Sequence, residues 1–145
     1  MTGTKARLLT VLLLSSWAGI VAGGCAADQG AEVPIGDAVL AKAFEDRASD
    51  LQVEDQGTVV RILKDDTEGG RHQRFVVRLA SGQTLLIAHN IDVAPRVEGL
   101  RKGDSVAFRG VYEWSDEGGT IHWTHHDPDG RHAAGWIRYD GRAYQ

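Results

Sequence analysis

The fold is decided by residues 57–89, which read GTVVRILKDDTEGGRHQRFVVRLASGQTLLIAH. Residues 57–64 are rich in Val, Ile and Leu. In residues 73–79, Phe75, Val77 and Leu79 alternate with Arg74, Val76 and Arg78, which predicts that the first set points inward. Short apolar or alternating runs of this kind, bounded by glycine-rich turns, are typical of β-strands. The pair Ser81-Gly82 predicts a tight turn into a third strand at residues 83–89. This stretch therefore predicts a three-stranded antiparallel meander.

Two further strands and one helix complete the predicted domain. Residues 105–114 and 120–126 are strand-like and are joined by a hairpin loop at Asp116–Gly119. Asp37–Leu51 has apolar residues at helical spacing and predicts a short helix. A meander, an irregular link and a hairpin follow the strand order of an OB-type barrel, so we predict an all-β fold, a small five-stranded OB-like barrel preceded by one short N-terminal helix. The alternative is an open five-stranded antiparallel sheet with the helix on one face, and residues 127–145 are expected to pack over the barrel end.

The first 24 residues have the order of a secretory signal. Lys5 and Arg7 give a basic start, Leu8–Ile20 is a short apolar stretch, and small residues precede Cys25. This order indicates a signal peptide, because the apolar stretch is too short to span a bilayer comfortably. Cys25 is the only cysteine and lies where a bacterial lipoprotein is acylated. The alternative is ordinary cleavage nearby, which would leave Cys25 as an unmodified thiol.

We therefore predict a lipoprotein-type signal peptide at residues 1–24, a flexible tether at residues 25–35 and the OB-like domain at residues 36–145. The protein is expected to be exported and held at a membrane by a lipid on Cys25, facing the periplasm or the cell exterior. Alanines follow the cysteine, and no Asp comes directly after it, which favours the outer membrane in a host that has one.

The charge of the chain argues against a nucleic-acid partner. The full chain carries 16 Lys and Arg against 20 Asp and Glu, a formal net charge of −4. Loss of Lys5 and Arg7 with the signal peptide leaves 14 basic residues and a net charge of −6. A phosphate backbone would be repelled overall. The one partner that the sequence indicates is a membrane, through the lipid anchor, and any ligand or protein partner stays unknown.

Histidines, amides and acids fall at the ends of the predicted strands. In an OB-like barrel, the ends of strands one, three and five meet the start of strand two at one rim, and such a mouth is a common place for a ligand. In the fifth strand, alternation predicts that Ile121, Trp123 and His125 point inward and that His122 and His126 point outward. The candidate ligand-binding residues are His72, Gln73, His89, Asn90, Asp92, His122, Trp123, His125, His126 and Asp127.

Three interpretations of this polar rim remain open. Imidazoles and carboxylates suit a transition metal such as zinc, with His72, His89 and His126 as candidate ligands, while the cofactor itself stays unknown. A histidine base beside acids could instead hydrolyse an ester or a phosphodiester. The side chains could also serve only to satisfy backbone groups in turns, as such residues commonly do.

Four segments of the chain carry a resemblance to a known family. They are residues 57–79, 81–96, 100–114 and 118–136, and they contain the unusual strings RHQ-F, HNID and IHWTHHDP. Over nearly the whole mature chain, the sequence resembles a bacterial family of short exported or lipoprotein domains, a domain of unknown function. The resemblance implies an N-terminal signal or anchor segment and assigns no activity.

The residues lead us to expect a membrane-anchored envelope lipoprotein that acts as a small binding or accessory module through the polar rim. The alternative is a metal-assisted hydrolase, acting on esters or phosphodiesters through the same His and Asp cluster. Trp114, Trp123 and Trp136 would form a stacking platform for a sugar or a peptide, or else would be core and lid residues.

Overall fold

The part of the molecule that the structure describes, residues 36–145 of a computed structural model, is a β-barrel with one short helix. The helix is α1 (Asp37–Asp46), and the strands are β1 (Leu51–Ile62), β2 (His72–Arg78), β3 (Thr84–Asn90), β4 (Ser105–Glu113), β5 (Thr120–His122), β6 (Trp136–Tyr139) and β7 (Arg142–Tyr144). Within this range, no helix has the length and apolar character needed to cross a bilayer. The predicted signal peptide, tether and lipidated Cys25 lie outside the described residues.

Five of the strands close into a barrel in the order β1-β2-β3-β5-β4, and β4 pairs back onto β1. The pairing of β3 with β5 is parallel and the other barrel pairings are antiparallel. This is the strand order predicted for an OB-like barrel, so the predicted fold class is confirmed. The alternative of an open sheet is wrong, because β1 pairs with β2 on one edge and with β4 on the other, which leaves no free edge at either end of the five-strand order.

The first strand is longer than the sequence predicts. It begins at Leu51 and pairs with β4 from Leu51 to Thr58, then with β2 from Thr58 to Ile62. Residues 51–56 read LQVEDQ, and only Val53 among them is buried in the core, so the apolar signal is weak there. The helix accordingly ends at Asp46 instead of reaching Leu51. Long-range pairing, and not local hydrophobicity, extends β1 toward its N-terminus.

Alternating apolar residues of the strands fill the barrel interior. Phe75 and Val77 on β2 are fully buried, as the alternation along that strand predicts, and Leu85 and Ile87 on β3 are fully buried as well. The helix covers this core with a few apolar side chains, of which Leu40 is fully buried. Burial of such side chains supplies the main stabilising free energy of a domain of this size.

The fifth OB strand is divided into two pieces. It is predicted at residues 120–126, but β5 ends at His122, and β6 then pairs with β4 from Arg109 to Ala107. Since β1 occupies the other edge of β4, β5 and β6 share one edge and together take the place of a single strand. Residues 123–135 leave the sheet between them, and we call them the inserted segment. The predicted tail over the barrel end is therefore partly a hairpin, β6–β7, that extends the sheet.

The packing of Gly119 in the loop between β4 and β5 predicts that an alanine there costs more stability than an alanine at Gly82, in the turn between β2 and β3. Gly119 has φ +110°, and a Cβ there would lie 2.1 Å from Cε2 of Tyr112, whereas Gly82 has φ +94° with no atom within 4 Å of its Cβ position. Both alanine variants would be strained in the backbone, but only Gly119→Ala would also overpack the core. We expect Gly119→Ala to lower the free energy of unfolding by about 1–3 kcal/mol more than Gly82→Ala, measured by urea denaturation. Equal losses in the two variants would contradict the described loop packing.

Candidate functional site

A layer of buried polar side chains lies inside one end of the barrel. It consists of Gln73, His89 and Thr124, which are 4%, 0% and 0% exposed. The Gln73 amide donates to the carbonyl oxygen of Val97 at 3.0 Å and accepts from the Val97 N–H at 2.9 Å. A buried amide that is satisfied at both ends stabilises the segment it holds. Gln73 therefore fixes the link between β3 and β4 and is not free to bind a ligand.

His89 is occupied at both ring nitrogens. Its Nε2 lies 3.0 Å from the carbonyl oxygen of Pro95, and its Nδ1 lies 2.8 Å from Oγ1 of Thr124. A carbonyl oxygen only accepts, so Nε2 carries the proton and Nδ1 accepts from the Thr124 hydroxyl. Burial lowers the pKa of His89, and the hydrogen bond to Pro95 opposes this only in part. His89 is therefore a neutral structural residue that joins β3 to the inserted segment.

The polar residues on the rim outside the barrel mostly bind one another. Arg71 donates from its backbone N–H and its Nε to the Asp92 carboxylate, each at 2.7 Å, and these bonds lower the pKa of Asp92. The Asn90 side chain accepts a hydrogen bond from the Asp92 backbone N–H at 2.9 Å. The Arg96 guanidinium donates two hydrogen bonds to the Asp65 carboxylate, of 2.6 and 3.0 Å. Pairs this exposed contribute modestly to stability. Their effect is to tie the loop after β1 to the segment after β3.

The three histidines considered as metal ligands do not meet at a common centre. His72 lies on the outer face at the start of β2, His89 is enclosed in the barrel, and His126 is exposed on the inserted segment. Among residues 36–145, no group of three or more His, Cys, Asp or Glu side chains is placed to hold a metal ion. Strand phase separates His72 from His89, because neighbouring positions on paired strands face opposite sides of the barrel wall, and His126 lies outside the sheet altogether.

The outer face of the barrel carries a groove that we call the outer groove. It runs along β2, β3 and β5, from the β1–β2 loop (residues 63–71) to the β4–β5 loop (residues 114–119). Two pockets form it, of about 350 Å³ and about 290 Å³, and they share Leu86 and Thr120. The larger pocket is within the size range of small-ligand sites. The β3 residues that line the groove run from Thr84 to Ala88, so the groove follows this strand for about 13 Å.

The larger pocket lies beside the β4–β5 loop and has an aliphatic floor with polar walls. Arg61 and Glu117 supply charges of opposite sign at its edge. Its other lining side chains are the aliphatic groups of Leu63, Val76 and Leu86 and the hydroxyls of Thr84, Ser115 and Thr120. A few polar groups around an apolar floor are the usual composition of a ligand pocket, in which burial gives affinity and the polar groups give orientation.

The smaller pocket lies beside the β1–β2 loop and is richer in charge. Its ionisable side chains are Asp66, Glu68, His72, Arg74, Glu113 and His122. His122 Nε2 lies 3.5 Å from Oε1 of Glu113, and this buried nitrogen has no hydrogen-bond partner within residues 36–145. Burial lowers the pKa of His122, and the nearby Glu113 carboxylate partly offsets that shift. This end of the groove thus carries a neutral imidazole whose Nε2 is enclosed beside the Glu113 carboxylate.

The inserted segment begins with a strained and exposed tryptophan. Trp123 has φ +56° and is 39% exposed, although it was predicted to point inward with Ile121. A bulky residue at positive φ is an outlier that persists only where its surroundings hold it. The ring of His132 lies 4.4 Å from the indole centroid, and His122 and His125 lie at 5.7 and 5.8 Å. Trp123 lines neither pocket, but its indole lies 5.7 Å from the ring of His122, which lines the smaller one, so the indole borders the outer groove.

The Asp127 carboxylate holds the inserted segment in shape. It accepts the backbone N–H groups of Asp129, Arg131 and His132, and its Oδ2 lies 3.6 Å from Nε2 of His132. Burial opposes ionisation of this carboxyl, but the backbone donors outweigh it, so the pKa of Asp127 is lowered. The side chain is therefore committed to its own loop, as the structural interpretation predicts for an Asp in a turn.

The other two tryptophans are packed. Trp114 stacks on Phe44 of α1 with ring centroids 6.4 Å apart, and Trp136 is 7% exposed beneath the Arg138 guanidinium. Of the three candidate platform residues, Trp123 alone presents its ring to solvent over more than a third of its surface.

The predicted site residues thus separate into three groups. His72 and His122 line the outer groove, with Trp123 adjoining it and His125 behind the indole. The residues held in structural contacts are Gln73, His89, Asn90, Asp92 and Asp127, and the exposed one is His126. Sequence reasoning missed His132, Glu113 and Arg61. The turn Asp127–Gly130 could have signalled that His132 folds back toward Trp123, whereas the cross-strand placement of Glu113 and Arg61 depends on barrel closure.

A closed five-stranded barrel of OB strand order, with a ligand-sized groove on its outer face, defines the class of this protein as a small OB-like domain. The chain belongs to the family described as protein of unknown function, DUF3465, which it matches over residues 25–145. The resemblance to a family of unknown function is thereby confirmed. A comparison with the curated proteins found no match.

Because His89 is buried, the free energy of unfolding is expected to depend on pH, and substitution of this histidine should weaken that dependence. The pKa of His89 in the folded chain is below its value near 6.5 in the unfolded chain. As the pH falls, the unfolded chain therefore binds a proton at this imidazole before the folded chain does. The free energy of unfolding should therefore decrease below about pH 7, by at most about 1.4 kcal/mol per pH unit for this group. In His89→Gln, whose amide can still donate to Pro95, the slope between pH 7.5 and 5.5 should be shallower.

The control is His126→Gln, which removes one imidazole at an exposed position. Urea denaturation at several pH values should give it the slope of the unsubstituted protein. A His89→Gln slope equal to that of the control would show that the buried imidazole does not govern this pH range.

Proposed function

We propose that this protein is an envelope lipoprotein that acts as a small binding module, with the outer groove as its ligand site. The observation that carries the proposal is the pair of adjoining pockets between two loops, with a shared floor at Leu86 and Thr120. The face formed by the second and third strands, between these two loops, is also where OB folds hold extended ligands. The site proposed from the sequence is thereby moved from the barrel rim to the barrel wall.

The chemistry of the groove fits a polar ligand with apolar patches. Val76, Leu86 and Ala88 give it an aliphatic floor, while hydroxyl, imidazole and charged groups stand around them. Such a surface can remove apolar groups of a ligand from water and orient its polar groups by hydrogen bonds. A groove that follows about 13 Å of strand suits a short chain of a few units better than a single small molecule.

The proposal that the protein is anchored rests on the N-terminal sequence. A basic start, a short apolar stretch and small residues precede Cys25, and the family match begins at the same cysteine. A lipid on Cys25 would place the barrel at a membrane surface in the envelope, with residues 26–35 as a spacer. The alternative function, a metal-assisted hydrolase, stays a prediction that no group of metal-ligating side chains within residues 36–145 supports.

Substitution of Cys25 tests the anchor. In a bacterial host that processes lipoproteins, Cys25→Ser should abolish incorporation of labelled palmitate and move the protein from the membrane fraction to the soluble envelope fraction, because the acyl chains supply the membrane affinity. Ala26→Ser, which keeps the cysteine, is the matched control and should stay labelled and membrane-bound. Unchanged fractionation of Cys25→Ser would refute lipid anchoring at this residue.

A charged residue at the shared floor tests the groove. Leu86→Arg should obstruct both pockets, since Leu86 lines each of them and is only half-buried. In a ¹H–¹⁵N NMR screen of oligosaccharides and short peptides, amide shifts should cluster on β2, β3 and β5 and disappear in Leu86→Arg. Val93→Arg, at a 56% exposed position outside the groove, should leave them intact. Shifts that map to another surface, or that survive in Leu86→Arg, would contradict the proposed site.

A further inference from the structure

We propose that the outer groove takes an extended polypeptide segment that carries cationic side chains, with the Trp123 indole as the platform for one of them. This inference rests on the proposed function, and it adds the chemical class of the ligand. Three features of the described residues support it: the balance of charge in the groove, the conformation of Trp123 and the form of the groove floor.

The groove has an excess of carboxylates. Four of them line its two pockets, Asp66, Glu68, Glu113 and Glu117. Two guanidinium groups, those of Arg61 and Arg74, line the same pockets. The Arg74 guanidinium is already engaged, because its Nε donates to the Lys64 carbonyl oxygen at 3.1 Å and its Nη1 lies 3.9 Å from Oδ2 of Asp66. The lowered pKa of His122 keeps this imidazole neutral at neutral pH.

Two of these carboxylates lack a cation of their own. Within residues 36–145, neither Glu68 nor Glu117 has a Lys or Arg nitrogen within 4.0 Å. Among the described residues, the one ionisable partner of Glu113 within 4.0 Å is the imidazole of His122. Opposite charges across an interface steer association and select the partner, whereas like charges exclude it. The groove therefore favours ammonium or guanidinium groups over phosphates and carboxylates.

Trp123 offers a second point of attraction for a cation. Its positive φ turns the chain out of the sheet directly after His122, and the indole is left 39% exposed beside the groove. Its neighbours hold it there, because Thr124 is fully buried against His89 and His132 packs at 4.4 Å from the indole ring. A strained backbone that exposes a large aromatic ring is a feature of binding sites, and the face of Trp attracts Lys and Arg.

The floor of the groove suits an extended chain. Val76, Leu86 and Ala88 lie on neighbouring strands with their side chains on the outer face. The part of β3 that lines the groove, from Thr84 to Ala88, corresponds to about five residues of an extended peptide. Alternate side chains of such a peptide can lie on the aliphatic floor, while the others reach the carboxylates at the groove edges.

The experiment compares three probes on the folded domain within the full mature chain. They are the acetylated, amidated peptide Gly-Lys-Val-Lys-Gly-Lys, the same peptide with Glu in place of Lys, and the neutral sugar cellohexaose. NMR titration locates each probe and gives its dissociation constant. The lysine peptide should bind in the groove, more tightly than either of the others, and its affinity should fall as salt is raised from about 0.05 to 0.5 M.

Matched variants then identify the groups responsible. Glu113→Gln and Glu117→Gln should each weaken binding of the lysine peptide about two- to fivefold, the effect of one partly exposed charge pair. Trp123→Leu should weaken it by a similar factor, about two- to fivefold, through loss of the cation–π contact. Glu98→Gln, an exposed carboxylate outside the groove, is the control and should leave the affinity unchanged.

The outcomes separate the two proposals. If the glutamate peptide or cellohexaose binds in the groove as tightly as the lysine peptide, the cationic class is wrong while the groove stands. If the Glu113, Glu117 and Trp123 variants all bind the lysine peptide like the control, the assignment of these side chains is likewise overturned. If no probe shifts the amides of β2, β3 and β5, both the ligand class and the proposed site fail.

Discussion

The pairing of β1 with two different strands is the constraint on which this structure depends. Its first part lies against β4 and its last part against β2, and a bulge between Val59 and Arg61 shifts the register where the partners change. At this crossing a Cβ on Gly57 would lie 2.9 Å from the Arg78 carbonyl oxygen, so the strands approach as closely as they do because no side chain intervenes. The resulting closure gives the barrel wall one buried face and one open face, and the outer groove lies on the open one.

The interruption of the fifth strand couples the interior of the barrel to its surface. Thr124 turns inward and donates to His89, while Trp123, one residue earlier, turns outward beside the groove. Asp127 then gathers three backbone N–H groups and brings His132 back onto the indole. The buried polar layer and the exposed aromatic ring are therefore two sides of one segment. A hydrogen bond in the core and a carboxylate in a turn together offset the strain at Trp123.

Polar residues of this protein serve two distinct purposes. Those at the rim, such as Arg71 and Asp92, bind one another and hold loops together. Their clustering therefore has a structural role and does not indicate a ligand site. Those in the outer groove are incompletely paired, since neither Glu68 nor Glu117 has a Lys or Arg nitrogen within 4.0 Å among residues 36–145. A ligand can balance such charges, which is why the groove, and not the rim, is the better candidate site.

The sequence by itself determined the strand order, the short helix and the inward phase of Phe75, Val77 and Leu79, because alternation is a local property that a buried face enforces. It also predicted His72, His122 and Trp123 as site residues, since polar and aromatic residues at strand ends can be recognised from the order of residues along the chain. Only the tertiary structure decided that β1 begins at Leu51, that β5 stops at His122, and that Glu113 and Arg61 join the groove. Each of these depends on which strand edge is available to pair and which side chains then meet across it, and no local pattern carries that information.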